Sequence, residues 1–272
     1  MTARFPPEIF DLIIDHLHGD RNTLKQCSLV SKSWVPRTQK HLFSEVRFGS
    51  CRQLGNLGYA FPDSKGSPTR HTDSLDAGDL PIYAPAYCKL DHEWLRSLFP
   101  NVTRFHVTVG GTVDRQLTDP HCLQFHRLFP AVTSLSLTMA TVRPADLAAV
   151  ICSFPVLEDL AMLGSIARDG GVDPRSNWPK CTGTLTLNIT MDSVRNFLEG
   201  LPTIPLQFRQ IICRVGRVYE GNYQPVGLLV ERCSDTLEGI IIKSDPECES
   251  RPFSSCNGVR YLTGISRLHH RR

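Results

Sequence analysis

The chain has 272 residues, 41% of them hydrophobic and 21% charged, with a formal net charge of +3; that is enough for one large or two small domains and excludes disorder throughout. Ten cysteines without a CxxC pair, and no basic-then-apolar leader, point to reduced thiols in the cytoplasm or nucleus rather than to a secreted disulfide framework. No apolar run approaches the ~18 residues that span a bilayer, and no basic run is longer than the closing Arg271-Arg272, so neither a membrane nor a nucleic acid is expected as partner.

Residues 5–18, FPPEIFDLIIDHLH, predict a helix opened by Pro6 and Pro7, where a missing amide hydrogen costs nothing, with Glu8 and Asp11 near the positive end of its dipole and Gly19 at its close. Ile9, Ile13 and Leu17 form one stripe, and Phe10 and Ile14 a second about 100° away. A second helix, capped by Asn22 or Thr23, carries Leu24, Cys27, Leu29, Val30 and Trp34. Pro36 opens a third, PRTQKHLF, after which the chain extends through Val46 and Phe48. Helices totalling ~40 residues cannot bury this many large apolar side chains alone, so either the rest of the chain or a partner covers them.

FPPEIFDLIIDHL, then TLKQCSLVSKSW, then HLF resembles an F-box, with Phe5 standing where that family usually has Leu. The resemblance covers positions 5 to about 48 and implies a module that docks on the Skp adaptor of cullin-RING ubiquitin ligases, a helix-in-groove interface of apolar anchors. Carried onto this chain, it places Pro6, Ile9, Ile13, Leu17, Leu29, Val30 and Trp34 at or just behind the interface. Trp34 is equally able to serve the small domain's own core.

Residues 49–90 are expected to form a flexible insertion, because PDSKGSPTRHTDSLDAGDLP is rich in Gly, Pro, Ser and Asp and has no sustained apolar period. Just before it, QLGNLGYAFP is either a degraded helix of a first repeat or linker. From residue 91 the chain repeats. LFPNVTRFHV at 98, LFPAVTSLSL at 128 and SFPVLEDLAM at 153 share one register, and weaker copies fall into it. The apolar triplets are Val102/Phe105/Val107, Val132/Leu135/Leu137, Leu157/Leu160/Met162, Thr182/Leu185/Leu187, Phe208/Ile211/Cys213 and Leu237/Ile240/Ile242, with Val259 and Leu262 as the start of a seventh unit cut short. Helices are predicted between them at 93–98, 120–128, 144–154, 192–201 and 226–233. The pattern resembles a degenerate leucine-rich repeat of period ~20 to 29 residues.

That likeness implies an α/β fold: a short three-helix F-box (1–48), the insertion (49–90) and an irregular solenoid of parallel strands alternating with helices (91–272), the whole similar to an F-box protein of fungal type. In place of the usual asparagine, the turns carry Gly110, Ala140, Ser165, Thr190, Gly216 and Asp245, so the solenoid is expected to be irregular.

Chemical motifs are absent: no P-loop, no G-x-S-x-G elbow and no H-E-x-x-H occurs. The spacing of His121, Cys122 and His126 puts the two histidines on different helical faces, His16 and His18 fare no better, and Cys27, Cys152 and Cys213 sit at apolar positions as small hydrophobes. No catalytic residue, metal or cofactor is expected. The resemblances imply instead a substrate receptor of an SCF-type E3 ligase, bound through the Skp adaptor to a cullin scaffold and presenting a protein target, which acts by raising effective concentration. The outward residues flanking the repeat's inner positions are then the candidate target contacts: Arg104, His106, Ser134, Ser136, Asp159, Thr184, Thr186, Gln210, Arg214 and Lys243. The alternative is a Skp-binding or plain repeat scaffold with no role in ubiquitylation.

Overall fold

The computed structural model describes residues 6–61, 66–77, 92–109, 128–168, 178–200, 206–215, 224–244 and 260–263. The chain divides into two compact units, Met1–Phe105 and His106–Arg272, and in both of them helices alternate with strands.

The first unit opens with helices α1 (Pro7–His16), α2 (Arg21–Val30) and α3 (Val35–Leu42). Pro7 occupies the first turn of α1, where its missing amide is harmless. The cap of α2 is neither Asn22 nor Thr23 but Asp20, whose carboxylate accepts the amides of Asn22 (3.0 Å) and Thr23 (3.1 Å) and the Thr23 hydroxyl (2.6 Å). An ionised acceptor makes charge-assisted bonds to these otherwise orphaned donors, and the Thr23 hydroxyl, followed by the Thr23 and Asn22 amides, holds the Asp20 carboxyl below its ordinary range. The helix stops at Val30, short of Trp34, because Ser31 is extended (φ −150°, ψ 141°) and its hydroxyl accepts the Ser33 amide at 3.3 Å. Ile14 and Leu24 are wholly buried, each burial stabilising by about 2 kcal/mol. Asp15 ties the helices together. Arg37 donates to it through Nε at 2.6 Å and also through its terminal nitrogen, His41 Nε2 lies 2.7 Å from the same carboxylate, and these partners, Arg37 first, hold the carboxyl well below the usual carboxylate range.

Residues 49–90 are not simply a flexible insertion. The segment contains helix α4 (Cys51–Ala60), a 3-10 turn (Pro68–His71) and strand β2 (Ser74–Ala77), which pairs in parallel with β1 (Glu45–Arg47); residues 78–90 lie outside the described residues. Three of its Ser and Thr residues, Ser67, Thr69 and Thr72, are not solvated loop. Thr69 and Thr72 are buried and donate to the carbonyls of Leu98 and Phe43, both at 2.7 Å, while the Ser67 hydroxyl caps the turn by accepting the Thr69 amide. Hydroxyls satisfied in this way can line a core. With Val46 opposite Leu75, the repeat spacing extends back to Thr72/Leu75/Ala77 and Phe43/Val46/Phe48, two units earlier than the apolar pattern alone reveals. Helix α5 (His92–Leu98) then leads to β3 (Arg104–Val109), within which the two units divide.

In the second unit, strands β4 (Ser134–Val142), β5 (Asp159–Ile166), β6 (Thr184–Ile189), β7 (Gln210–Val215) and β8 (Gly239–Ser244) lie side by side in chain order and pair in parallel. Helices α6 (Pro144–Cys152), α7 (Met191–Gly200) and α8 (Gln224–Arg232) fall where the 3.6-residue period predicts them; the helix expected at 120–128 lies outside the described residues save Leu128. The registers are those of the triplets: Leu135 opposite Leu160, Leu160 opposite Leu185, Leu185 opposite Ile211, Ile211 opposite Ile240. These residues are buried. Two triplet members are corrected: Thr182 is exposed, its neighbour Cys181 being buried in its place, and Ile242 is only half-buried.

Two further expectations change. Ala140 and Ser165 do not end their strands, for β4 runs on to Val142 and β5 to Ile166 through an irregularity in pairing. Gly164 permits this: at φ 126° it lies so close to β4 that a Cβ would stand 1.7 Å from the Met139 carbonyl oxygen. Nor do Val259 and Leu262 begin a seventh parallel unit. Strand β9 (Arg260–Thr263) runs antiparallel to β8, with Leu262 opposite Ile240. A parallel return needs a crossover, usually a helix, and between Asp245 and Gly258 Phe253 is the only large apolar residue.

Candidate functional site

The candidate residues fall into two sets, one on the N-terminal helices and one along the strands. On the N-terminal helices, the residues grouped by pattern separate by exposure. Ile9, Ile13, Leu29 and Val30 point outward, Leu29 at 81% and Val30 at 67% exposure, and Pro6 is exposed beside them. Leu17 is half-buried, and Trp34 is half-buried against Phe10, their ring centroids 5.3 Å apart. Ile14 and Leu24 are the fully buried apolar residues of these helices, and Phe10 and Trp34 form a half-buried ring pair. Leu12, 57% exposed, joins the outward face although neither predicted stripe contained it; its signal was its place at i+3 from Ile9. The result is five outward apolar side chains, Ile9, Leu12 and Ile13 on one side of α1 and Leu29 and Val30 at the end of α2, exposed apolar surface of the kind that marks an interaction site.

The candidate target contacts alternate along their strands with buried residues, but they are not equally available. Arg104, in the first unit, is exposed and paired with Asp73 at 3.1 Å. In the second unit, His106 Nδ1 lies 2.9 Å from Ser136 Oγ and its Nε2 3.5 Å from Thr138 Oγ1, which joins neighbouring strands by side chains. Ser134 and Asp159 stand in register, as do Thr184 and Gln210, where the Thr184 hydroxyl faces Gln210 Oε1 at 3.5 Å. Thr186 is half-buried, and Gln210, Arg214 and Lys243 are exposed.

Asp159 has a structural duty. At the N-terminal edge of the sheet, one carbonyl usually accepts two successive amides of the next unit: Thr133 O from Glu158 and Asp159 (2.8 and 2.9 Å), Gly183 O from Arg209 and Gln210 (3.0 and 3.3 Å), Arg209 O from Glu238 and Gly239 (2.7 and 3.1 Å). At β6 the pattern breaks, because Glu158 O takes the Gly183 amide while the Thr184 amide goes to Asp159 Oδ1 at 2.6 Å. The carboxylate lies so near Gly183 that a Cβ there would be 2.2 Å from it. Asp159 is thus engaged with the backbone and is not a free contact.

Along the same edge lies an open hollow of about 690 Å³ lined by Glu158, Thr182, Thr184, Arg209, Gln210 and Glu238, with Arg209 and Glu238 3.9 Å apart. Elsewhere in the second unit, burial pushes the thiols of Cys181 and Cys213 up to about 12 and those of Cys152 and Cys233 up to about 11, so they stay protonated and unreactive near neutral pH. Among the described residues no group of three or more His, Cys, Asp and Glu is placed to hold a metal ion, and no helix is long and apolar enough to cross a membrane. His121, Cys122 and His126 lie outside the described residues. What the two surfaces offer is contact: one is apolar, the other polar with apolar residues set into it. Compared with family models, with curated proteins and with solved structures, the chain matches none.

Proposed function

We propose that the chain is a non-catalytic substrate receptor of a cullin-RING ubiquitin ligase, in which the N-terminal helices act as an F-box on the Skp adaptor and the strand–helix units, as a degenerate leucine-rich repeat, present a protein target. The observation that carries this reading is the exposure of Ile9, Leu12, Ile13, Leu29 and Val30 on helices that bury Ile14 and Leu24. Covering those five side chains gives a partner the apolar anchors of a helix-in-groove interface. The register of the parallel strands supports the second half, since it arrays variable side chains on one face as a repeat scaffold does. On this reading the work is positioning: a target held near a ubiquitin-charged enzyme reacts as though concentrated there. A cytoplasmic or nuclear site of action belongs to the same proposal.

Co-purification with the Skp adaptor tests it. The wild-type chain captures the adaptor, and Ile13→Asp combined with Leu29→Asp abolishes capture while the circular dichroism spectrum stays unchanged, because both side chains are already exposed. A chain that ignores the adaptor, or a double variant that still binds it, overturns the reading. Removing the chain from cells then separates a receptor, whose bound target accumulates, from a Skp-binding scaffold, whose partner does not.

A further inference from the structure

In the second unit the strands alternate buried triplet residues with outward ones that are mostly polar, Ala161 and the exposed Leu163 of β5 being apolar exceptions, and β7 and β8 depart from the rule side by side. Ile212 and Ile241 take outward positions in register with each other and stay half-exposed. The strings Ile211-Ile212-Cys213 and Ile240-Ile241-Ile242 are the near-continuous apolar runs of parallel strands covered on both faces, yet among the described residues nothing buries this second face. Two residues further along each strand, Arg214 and Lys243 stand opposite each other, both exposed, and among the described residues neither has an ion-pair or hydrogen-bond partner. Other neighbouring-strand charges meet their opposites: Arg47 with Asp76 and Asp73 with Arg104 in the first unit, Arg209 with Glu238 in the second. Like charges directly opposed weaken a sheet, so this pair is the exception that a bound anion would relieve.

We propose that this corner of the sheet docks an acidic segment of the protein target, one that places two Asp or Glu carboxylates beside a large apolar side chain. The proposal rests on reading the second unit as the target-presenting half of a ligase receptor, and it names the chemistry of the target. The apolar side chain lies over Ile212 and Ile241, and the carboxylates lie over Arg214 and Lys243. Outward residues two apart on a strand are about 7 Å from each other and neighbouring strands about 5 Å apart, so two or three residues of extended peptide cover both features. Two cations about 5 Å apart suit a pair of carboxylates better than one, with the guanidinium able to grip its partner through two parallel bonds. The isoleucines beside them thin the surrounding water, which strengthens the ion pairs they flank.

Fluorescence anisotropy with the full chain tests this, using labelled peptides in which an Asp-Asp or Glu-Glu pair follows Leu or Ile by one to three residues, and their Asn and Gln counterparts. The acidic peptides are expected to bind at least about tenfold tighter than the amide peptides and to weaken as salt rises. Lys243→Glu and Arg214→Glu each cost about tenfold in affinity while the melting temperature holds or rises, because each turns a like-charged pair into an opposite one; a merely damaged fold would melt lower. Ile212→Ser weakens the peptides with an apolar anchor and leaves polyglutamate unaffected. The proposal is overturned if acid and amide peptides bind alike, or if polyglutamate binds as well as the anchored peptides. It is overturned equally if changing Asp245, Glu247 and Glu249 to amides tightens peptide binding about tenfold, which would make the chain's own acids the occupant. Adaptor capture measured on the same proteins keeps the two readings apart: peptide binding without capture sinks only the ligase reading, and capture without acidic preference sinks only this one.

Discussion

The three N-terminal helices and the strand–helix units of the second half treat their large apolar residues in opposite ways. In the helices Ile14 and Leu24 are fully buried, while Ile9, Leu12, Ile13, Leu29 and Val30 stand in solvent. In the second unit the triplets from Leu135 to Ile240 are buried almost without exception, Thr182 being the polar one that is not. Each strand–helix unit is covered by the next, whereas a trio of short helices has too little volume to hide its own surface. A repeat stack covers its apolar residues by continuing; the helices leave theirs exposed.

The largest effect that would sharpen this contrast is Leu185→Ala, which opens a cavity beneath strands on both sides and is expected to cost about 3 kcal/mol in urea unfolding, against about 0.5 kcal/mol or less for Leu29→Ala. Equal costs would erase the distinction. Gly164→Ala follows at about 2 kcal/mol, because a side chain at φ 126° is strained and meets the Met139 carbonyl; a melting temperature equal to wild type would mean that β4 and β5 do not approach as described. Thr72→Val should cost about 1 to 2 kcal/mol by leaving the Phe43 carbonyl unpaired, which checks that the earliest units belong to the packed stack. Least affected at neutral pH are the thiols. Their folded pKa values lie above the ordinary thiol value, so the stability they contribute is fully present below about pH 8.5 and is lost as pH climbs toward about 12. Native protein treated with a disulfide reagent at pH 7.5 should leave Cys181, Cys213 and Cys233 unmodified by peptide mass mapping, and modification before unfolding would contradict their burial.

Much of the second half can be read from residue order, because a triplet spacing of three and then two, recurring beside Phe-Pro, fixes which side chains point inward before any contact is known. The same spacing hid at Phe43/Val46/Phe48 and Thr72/Leu75/Ala77 because it is partly written in a hydroxyl: Thr72 belongs in the core only once its proton reaches the Phe43 carbonyl, 29 residues away. Cys181 displaces Thr182 for a reason no periodicity contains, and β4 and β5 outrun their expected turns because Gly164 lets two backbones meet. On the interaction surfaces, residue type and spacing mark which side chains are candidates, but not whether they are free. Ile13 and Ile14 are chemically identical neighbours, and the tertiary structure leaves one outward and one buried. Asp159 reads as an open contact until its carboxylate is found on the Thr184 amide, while Arg214 and Lys243, 29 residues apart, become a pair only through strand register. Local patterning settles which elements form and which faces are apolar, since those depend on neighbours a few residues away. Which polar groups remain unpaired, and which apolar ones remain uncovered, is settled by contacts that residue order does not carry.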